Sequence, residues 1–250
     1  MRSTLGAPPP RLALALERSR EESCEERRKK RVSQVYKMTE RTLHMAELLI
    51  ATTNPAKLAE YGVLMREFNL RLVSLRDVGI DQEAPEGAAT FSDNARIKAA
   101  FYFAHSGLPT LADDGGLEVD ALGGAPGVQS HRWLGAWADD RELADEVVRR
   151  MAGVELPGRT ARLRAAAALL YADHGVVRER VAEAALEGVI AERRYPEIRP
   201  GFPYRSVLYL PEHGCYLAEV NEDEAAINLS QRRIIVAQLG DDLRRLASAE

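Results

Sequence analysis

An α/β fold is predicted for this chain by three observations. A strand-like apolar run, a helix-spaced segment and a second strand-like run follow one another between Glu47 and Leu75. Clusters of Gly, Pro, Asn and Asp then punctuate further strand and helix candidates, and an amphipathic stretch closes the chain. Strand, helix and strand in that order imply parallel pairing through a crossover, the unit from which α/β sheets are built.

Each element has its own local warrant. Glu47 to Thr53 is apolar and ends in Thr-Thr-Asn-Pro, as a buried strand entering a turn should. Asn54 is a good N-cap and Pro55 sits where a first helical residue needs no N–H; Leu58, Tyr61, Leu64 or Met65, and Phe68 recur at helical spacing. Leu70 to Leu75 alternates as a strand. After an acidic loop from Asp77 to Gly87, a helix is predicted from Phe91 to His105, stopped by Gly107 and Pro109. Thr110 to Ala112 is expected as a short strand that runs into Asp113-Asp114-Gly115-Gly116, with a Gly-rich turn from Gly123 to Gly127 soon after. Asp139 to Met151 reads as a surface helix with Leu143, Val147 and Met151 on one stripe. Arg159 to Tyr171 and Val176 to Ile190 read as a long hairpin around Asp173-His174-Gly175, although their alanine content leaves a helical reading open. Ser206 to Leu210 is a strand candidate, and Ser230 to Leu246 is expected as one helix.

Composition narrows the function. With 46% hydrophobic and 29% charged residues among 250, the chain can bury a core without staples. A net charge of -4 argues against a broad duplex-binding surface but leaves free nucleotides open as ligands, since a local basic pocket fits inside an acidic protein. No run approaches the roughly 18 apolar residues of a membrane span, so neither nucleic acid nor membrane is expected as a partner. The two cysteines, Cys24 and Cys215, make neither a disulfide framework nor a zinc site, and a reducing cytoplasm fits best. Residues 1 to 44 form a mixed-charge leader with Pro8-Pro9-Pro10 and little apolar periodicity, expected to be disordered or loosely helical, ahead of a single domain from 45 to 250 with two lobes. Met38 or Met45 is expected as the true start, which N-terminal mass mapping of the native protein would test.

Two constellations carry chemistry. Thr52-Thr53-Asn54-Pro55-Ala56-Lys57 opens a helix N-terminus with two hydroxyls, an amide and a lysine, a place that attracts phosphate; ordinary capping by Asn54 beside a solvated Lys57 is the alternative. Asp113 and Asp114 are adjacent carboxylates at a strand end, where α/β sheets place their ligands. A bound Mg²⁺ would offset their repulsion while one of them orients or deprotonates a water; an Asx-turn into Gly115-Gly116 is the alternative. Asp81, Glu83 and Glu86 offer further oxygen ligands, Lys98 could reach a phosphate, and the five histidines show no metal spacing.

Together these segments resemble the ITPase family of noncanonical purine nucleotide pyrophosphatases. The likeness runs from Glu47 to about Gly135 through Ala51 to Lys57, Thr90 to Ala99 and Ala112 to Gly127, ending with Ser130, Arg132 and Gly135. It implies an elongated mixed sheet with flanking helices and a central active-site cleft, usually in a homodimer, using Mg²⁺ to hydrolyse the α–β phosphoanhydride of XTP, ITP or dITP. By this resemblance Thr52, Thr53, Asn54, Lys57 and Lys98 hold the triphosphate, and Asp114 is water-activating base and metal ligand. Asp113 with Glu83 or Glu86 completes the metal site; the acidic loop is one residue longer than the usual pattern, so both glutamates stand.

The C-terminal part departs from the family pattern. The usual Phe-Gly-Tyr/Trp-Asp-Pro segment reads Phe202-Pro203-Tyr204-Arg205-Ser206, which keeps an aromatic platform but puts Arg205 in place of the Asp. A carboxylate reads donors on a base edge, whereas an arginine can only donate. The family's late lysine falls near Ala225 or Ala226, and its Ser-His-Arg triplet reads Ser230-Gln231-Arg232. Ser130-His131-Arg132 lies elsewhere and does not substitute for it. The serine after the paired acids is Gly115, without a hydroxyl for phosphate. Phosphate and metal chemistry are therefore expected intact, and base recognition through Phe202, Tyr204, Arg205, Gln231 and Arg232 re-specified or eroded. Three readings follow: a pyrophosphatase of the family's kind, one with changed base specificity, and a nucleotide-binding homologue without catalysis.

Overall fold

The computed structural model describes residues 45–135, 138–220 and 229–248. The leader and the positions of Ala225 and Ala226 lie outside them. Strand β1 (Ala46–Ile50) leads through helix α1 (Pro55–Leu64) to β2 (Leu70–Ser74), which pairs with β1 in parallel as expected. Helix α2 (Phe91–Ser106) then delivers β3 (Thr110–Val119) to the other side of β1, also in parallel. After α3 (Asp140–Arg150), the chain turns antiparallel with β4 (Thr160–Asp173), β5 (Val176–Ile190), β6 (Leu208–Leu210) and β7 (Cys215–Tyr216). It ends in α4 (Gln231–Gln238) and α5 (Gly240–Ser248). The strands form one seven-stranded mixed sheet in the order β2-β1-β3-β4-β5-β6-β7.

Local chemistry explains the helix starts. Asn54 Oδ1 accepts from the N–H groups of Ala56 and Lys57, Thr90 caps α2 through Asp93 N, and Asp139 with Glu142 makes a capping box on α3. Each such cap contributes about 1 kcal/mol. The long hairpin holds in register from Thr160 opposite Val189 to Asp173 opposite Val176. Its turn residues His174 (φ 48°) and Gly175 (φ 80°) both take positive φ, as a two-residue hairpin turn matched to strand twist requires.

The sheet is covered on both faces, and period-2 alternation sorts its side chains. From β1, Leu48 and Ile50 join a core with Tyr61 of α1 and Ile235 of α4, whereas Leu49 packs with Ala95 and Ala99 of α2 on the opposite face. Ala165 to Ala168 of β4 are all fully buried, so the alanine run reflects a strand pressed between two layers and the helical reading falls. Further along β3 to β5, a third cluster packs Leu143 and Val147 of α3 on Leu117, Leu163 and Ile190.

Three boundaries differ from expectation. Strand β3 does not stop at Ala112, because every residue from Thr110 to Val119 pairs with β4. Gly115 and Gly116 serve close approach instead of a turn: a Cβ on Gly115 would lie 2.6 Å from the Arg164 carbonyl oxygen, and one on Gly116 2.0 Å from Ser130 Oγ. The Asx-turn reading of Asp113-Asp114 falls with it. Ser206 is in a 3-10 turn (Pro203–Ser206), its hydroxyl donating to the Pro203 carbonyl at 2.7 Å, and the strand begins only at Leu208. The closing helix breaks between Leu239 and Gly240, where a glycine weakens the helix and Asp241 and Asp242 favour a new first turn.

Candidate functional site

A cavity of about 440 Å³ opens where the C-terminal end of β1, the start of α1, the acidic loop, α2 and the middle of β3 meet. Thr52, Thr53, Asn54 and Lys57 border it on one side. Glu83, Glu86, Lys98, Asp113, Asp114 and Gly115 border it on the others. With Val128, His131 and Arg132, residues from five separate stretches of sequence thus face one space.

Asn54 is fully employed in holding this corner. Its Oδ1 takes the N–H groups of Ala56 (2.9 Å) and Lys57 (3.3 Å), and its Nδ2 donates to the Gly201 carbonyl at 3.0 Å. With those N–H groups occupied, the phosphate-attracting character of this end rests on the two threonine hydroxyls and Lys57. Lys57 is buried, with Nζ 3.3 Å from Asp113 Oδ1. Burial lowers its pKa, and Asp113 resists that shift.

The adjacent acids point to opposite faces of the sheet, since neighbours on a strand alternate. Asp113 faces α1 and α4: Arg232 Nε and Nη2 both reach its Oδ2 at 2.8 Å. Burial pushes this carboxyl up, but Arg232 and Lys57 outweigh it and hold it far below the usual carboxylate range. Asp114 faces α2, where Asn94 Nδ2 donates to Oδ2 at 3.0 Å and Lys98 Nζ lies 3.1 Å from Oδ1. The repulsion expected between the two acids is thus offset by separate cations. Lys98 also meets Glu86 at 2.5 Å, and Glu86 meets Arg132 at 2.8 Å. Burial raises the Glu86 pKa, yet Lys98 and Arg132 bring it down overall; Lys98 is correspondingly raised by Asp114 and Glu86 against its own burial.

A second, smaller cavity of about 40 Å³ adjoins the first. Phe202, Tyr204, Arg205, Gln231 and Arg232 line it, as does Gly115. The Arg205 guanidinium lies over the Phe202 ring, 4.0 Å from its centroid, and Nη2 pairs with Glu60 at 2.8 Å. Arg232 approaches the same ring at 5.6 Å. Tyr204 is buried, with its hydroxyl donating to the Ser130 carbonyl at 2.6 Å, so it forms the wall of the cavity more than a free platform. Gln231 is buried, and its side-chain amide makes no hydrogen bond among the described residues.

Two central residues escaped the sequence reading. Glu60, one helical turn after Lys57 on the same face of α1, is a buried carboxylate that holds Arg205, Arg232 (3.3 Å) and the Ser230 hydroxyl. Its i, i+3 spacing from Lys57 was the available signal. Asn94, 2% exposed, bonds Asp114 and accepts from the N–H groups of Gly87 (3.3 Å) and Ala88 (3.0 Å), tying the acidic loop to the catalytic candidate. It stands one turn before Lys98 on α2, which is how one helix face presents both to Asp114.

Among the described residues no three His, Cys, Asp or Glu side chains form a group able to hold a metal alone. Glu86 and Asp114 nevertheless converge on one cation, Lys98 Nζ, and Glu83 faces the same cavity. A pair of carboxylates next to a phosphate-sized space suits Mg²⁺, which takes one or two carboxylates plus substrate phosphate oxygens.

The sequence profile of the Ham1 family matches residues 48–241. A dITP/XTP pyrophosphatase of Methylococcus capsulatus is 38% identical over 202 residues, covering 80% of this chain and 97% of that one. A dITP/XTP pyrophosphatase of Geobacillus kaustophilus is 37% identical over 180 residues, covering 72% and 86%. The solved structure of a HAM1 protein from Coxiella burnetii superposes with a TM-score of 0.67 at 30% identity, over 79% of this chain and 100% of that one.

Proposed function

The chain belongs to the Ham1 family, and from that premise we propose that it is a nucleoside triphosphate pyrophosphatase. Its substrates are noncanonical purine nucleotides, XTP, ITP and dITP, cleaved to monophosphate and pyrophosphate. The observation that carries the reading is the setting of Asp114, gripped by Asn94 and Lys98 at the edge of a cavity bordered by Lys57 and two threonines.

A triphosphate in the larger cavity has its charge met by Lys57 and Lys98 and its oxygens by the hydroxyls of Thr52 and Thr53. Asp114 orients a water and takes its proton as the water oxygen bonds to the α-phosphorus. The bond from that phosphorus to the bridging oxygen then breaks, and its electron pair leaves with pyrophosphate. Lys98 and Asn94 keep the carboxylate aimed, and Asp113 keeps Lys57 and Arg232 in place. Asp114 and Glu86, with Glu83 beside them, would hold Mg²⁺, which when bound neutralises charge on the phosphate oxygens. The smaller cavity, lined by Phe202, Arg205, Gln231 and Arg232, takes the base.

A changed base preference is favoured by one further observation. The Arg205 guanidinium lies over the Phe202 ring, on the face where a base would stack. We also propose a homodimer, from the family resemblance, and the cytoplasm, from the paucity of cysteine. No helix among the described residues is long and apolar enough to cross a membrane.

Pyrophosphate release from ITP, XTP, dITP, GTP, ATP and pyrimidine triphosphates, with Mg²⁺ and with chelator, tests the proposal. Mg²⁺-dependent release from ITP and XTP is expected. Release from another base alone would establish re-specification, and binding without release would refute catalysis.

A further inference from the structure

Three residues border both cavities: Lys57, Gly115 and His131. If the larger cavity takes the phosphates and the smaller the base, this junction lies against the middle of a bound nucleotide, which is its sugar. Gly115 offers no side chain, and Lys57 Nζ is held by Asp113. His131 makes no hydrogen bond through its ring among the described residues and keeps an open face toward the cavities.

We propose that His131 is a specificity-determining residue that hydrogen-bonds a hydroxyl of the nucleotide's sugar, an inference that rests on the pyrophosphatase reading above. A rigid support carries it. Ser130 Oγ accepts from Leu117 N at 3.0 Å and donates to the Gly127 carbonyl at 2.6 Å, pinning the turn onto β3. The Arg132 N–H closes the other side on the Gln129 carbonyl at 2.7 Å. Gly116 makes this approach possible, because any Cβ there would strike Ser130. The backbone that carries His131 is therefore fixed against β3.

The place of the ring, between the cavity for the phosphates and the cavity for the base, favours a hydroxyl partner over a phosphate. Burial lowers the His131 pKa, and Lys57 and Lys98 lower it further while Asp140 and Asp114 oppose them. A neutral imidazole has one donor and one acceptor, the complement of an alcohol that both donates and accepts.

The test compares ITP, dITP and 2′,3′-dideoxy-ITP as substrates of the full chain, in wild type, H131A and H131N. One neutral hydrogen bond gives a preference of about three- to tenfold in kcat/KM. Wild type should show that preference for the substrates bearing the contacted hydroxyl, with dITP separating the 2′ from the 3′ position. H131A should bring the ratio to about one, and H131N, which keeps a donor and an acceptor, should restore part of it. A loss of the same factor on all three substrates in H131A, or a wild type indifferent to the sugar hydroxyls, overturns the inference while the pyrophosphatase reading stands. Absence of pyrophosphate release from every substrate in wild type overturns that reading instead.

Discussion

Glu60 is the most consequential buried charge in the structure, and its removal makes a quantitative prediction. Its side chain is 3% exposed and stands between two guanidiniums, 2.8 Å from Arg205 and 3.3 Å from Arg232. Glu60→Gln keeps the volume but deletes the charge. Arg232 retains Asp113, whereas Arg205 loses its buried carboxylate partner. Breaking a buried pair from one side costs about 3–5 kcal/mol. For a folded chain of this size each kcal/mol lowers Tm by roughly 2–4 °C, so a fall of about 6–20 °C is expected. Thermal and urea unfolding of E60Q, of R205M and of the double variant measure it. The double variant should cost clearly less than the sum of the singles, because each single already removes the one Glu60–Arg205 contact. A single-variant loss below about 1 kcal/mol, the range of exposed pairs, or strict additivity, would refute the view of this pair as a buried, coupled unit.

Other perturbations separate the parts of the site. Asp114→Asn should lower kcat by about 10²- to 10⁴-fold in steady-state assays with Tm nearly unchanged; full turnover would remove Asp114 as the base. Asp113 has a depressed pKa when folded, so its stabilisation is complete above its ordinary value of 3.8 and fades as pH falls below it, where the unfolded chain takes up the proton first. Urea midpoints measured from pH 5 to about pH 2 should therefore fall less steeply in Asp113→Asn than in wild type. Gly115→Ser supplies the hydroxyl common in relatives of the ITPase pattern, yet its Cβ must displace the Arg164 carbonyl. Its unfolding free energy should drop by about 1–3 kcal/mol, and an unchanged stability would show that β3 and β4 separate freely.

Much of the larger cavity's lining was legible in the sequence because it is local. Asn54 and Pro55 announce a helix start whatever surrounds them, and the acid pair and Lys98 stand in motifs of fixed spacing. The extent of β3 was not legible, since glycine pairs mark turns on local grounds and only the crowding of Arg164 and Ser130 explains them in mid-strand. The opposite faces of Asp113 and Asp114 followed from that misjudged boundary: a turn would have let both carboxylates reach one ion, whereas a continuous strand parts them. Glu60 was missed for a different reason. An acid three residues after Lys57 reads as a solvated helix face until Arg205 and Arg232, 145 and 172 residues away, fold onto it. The same distance hid the meaning of Arg205. By sequence it replaces a base-reading carboxylate; in the fold it stacks on Phe202 and neutralises Glu60.

In the proposed reaction water, deprotonated by Asp114, attacks the α-phosphorus. Hydrolysis of ITP in water enriched in ¹⁸O, with mass spectrometry of both products, tests it most directly. One ¹⁸O in IMP and none in pyrophosphate is the expected result. Label in pyrophosphate, or orthophosphate as the product, would contradict it.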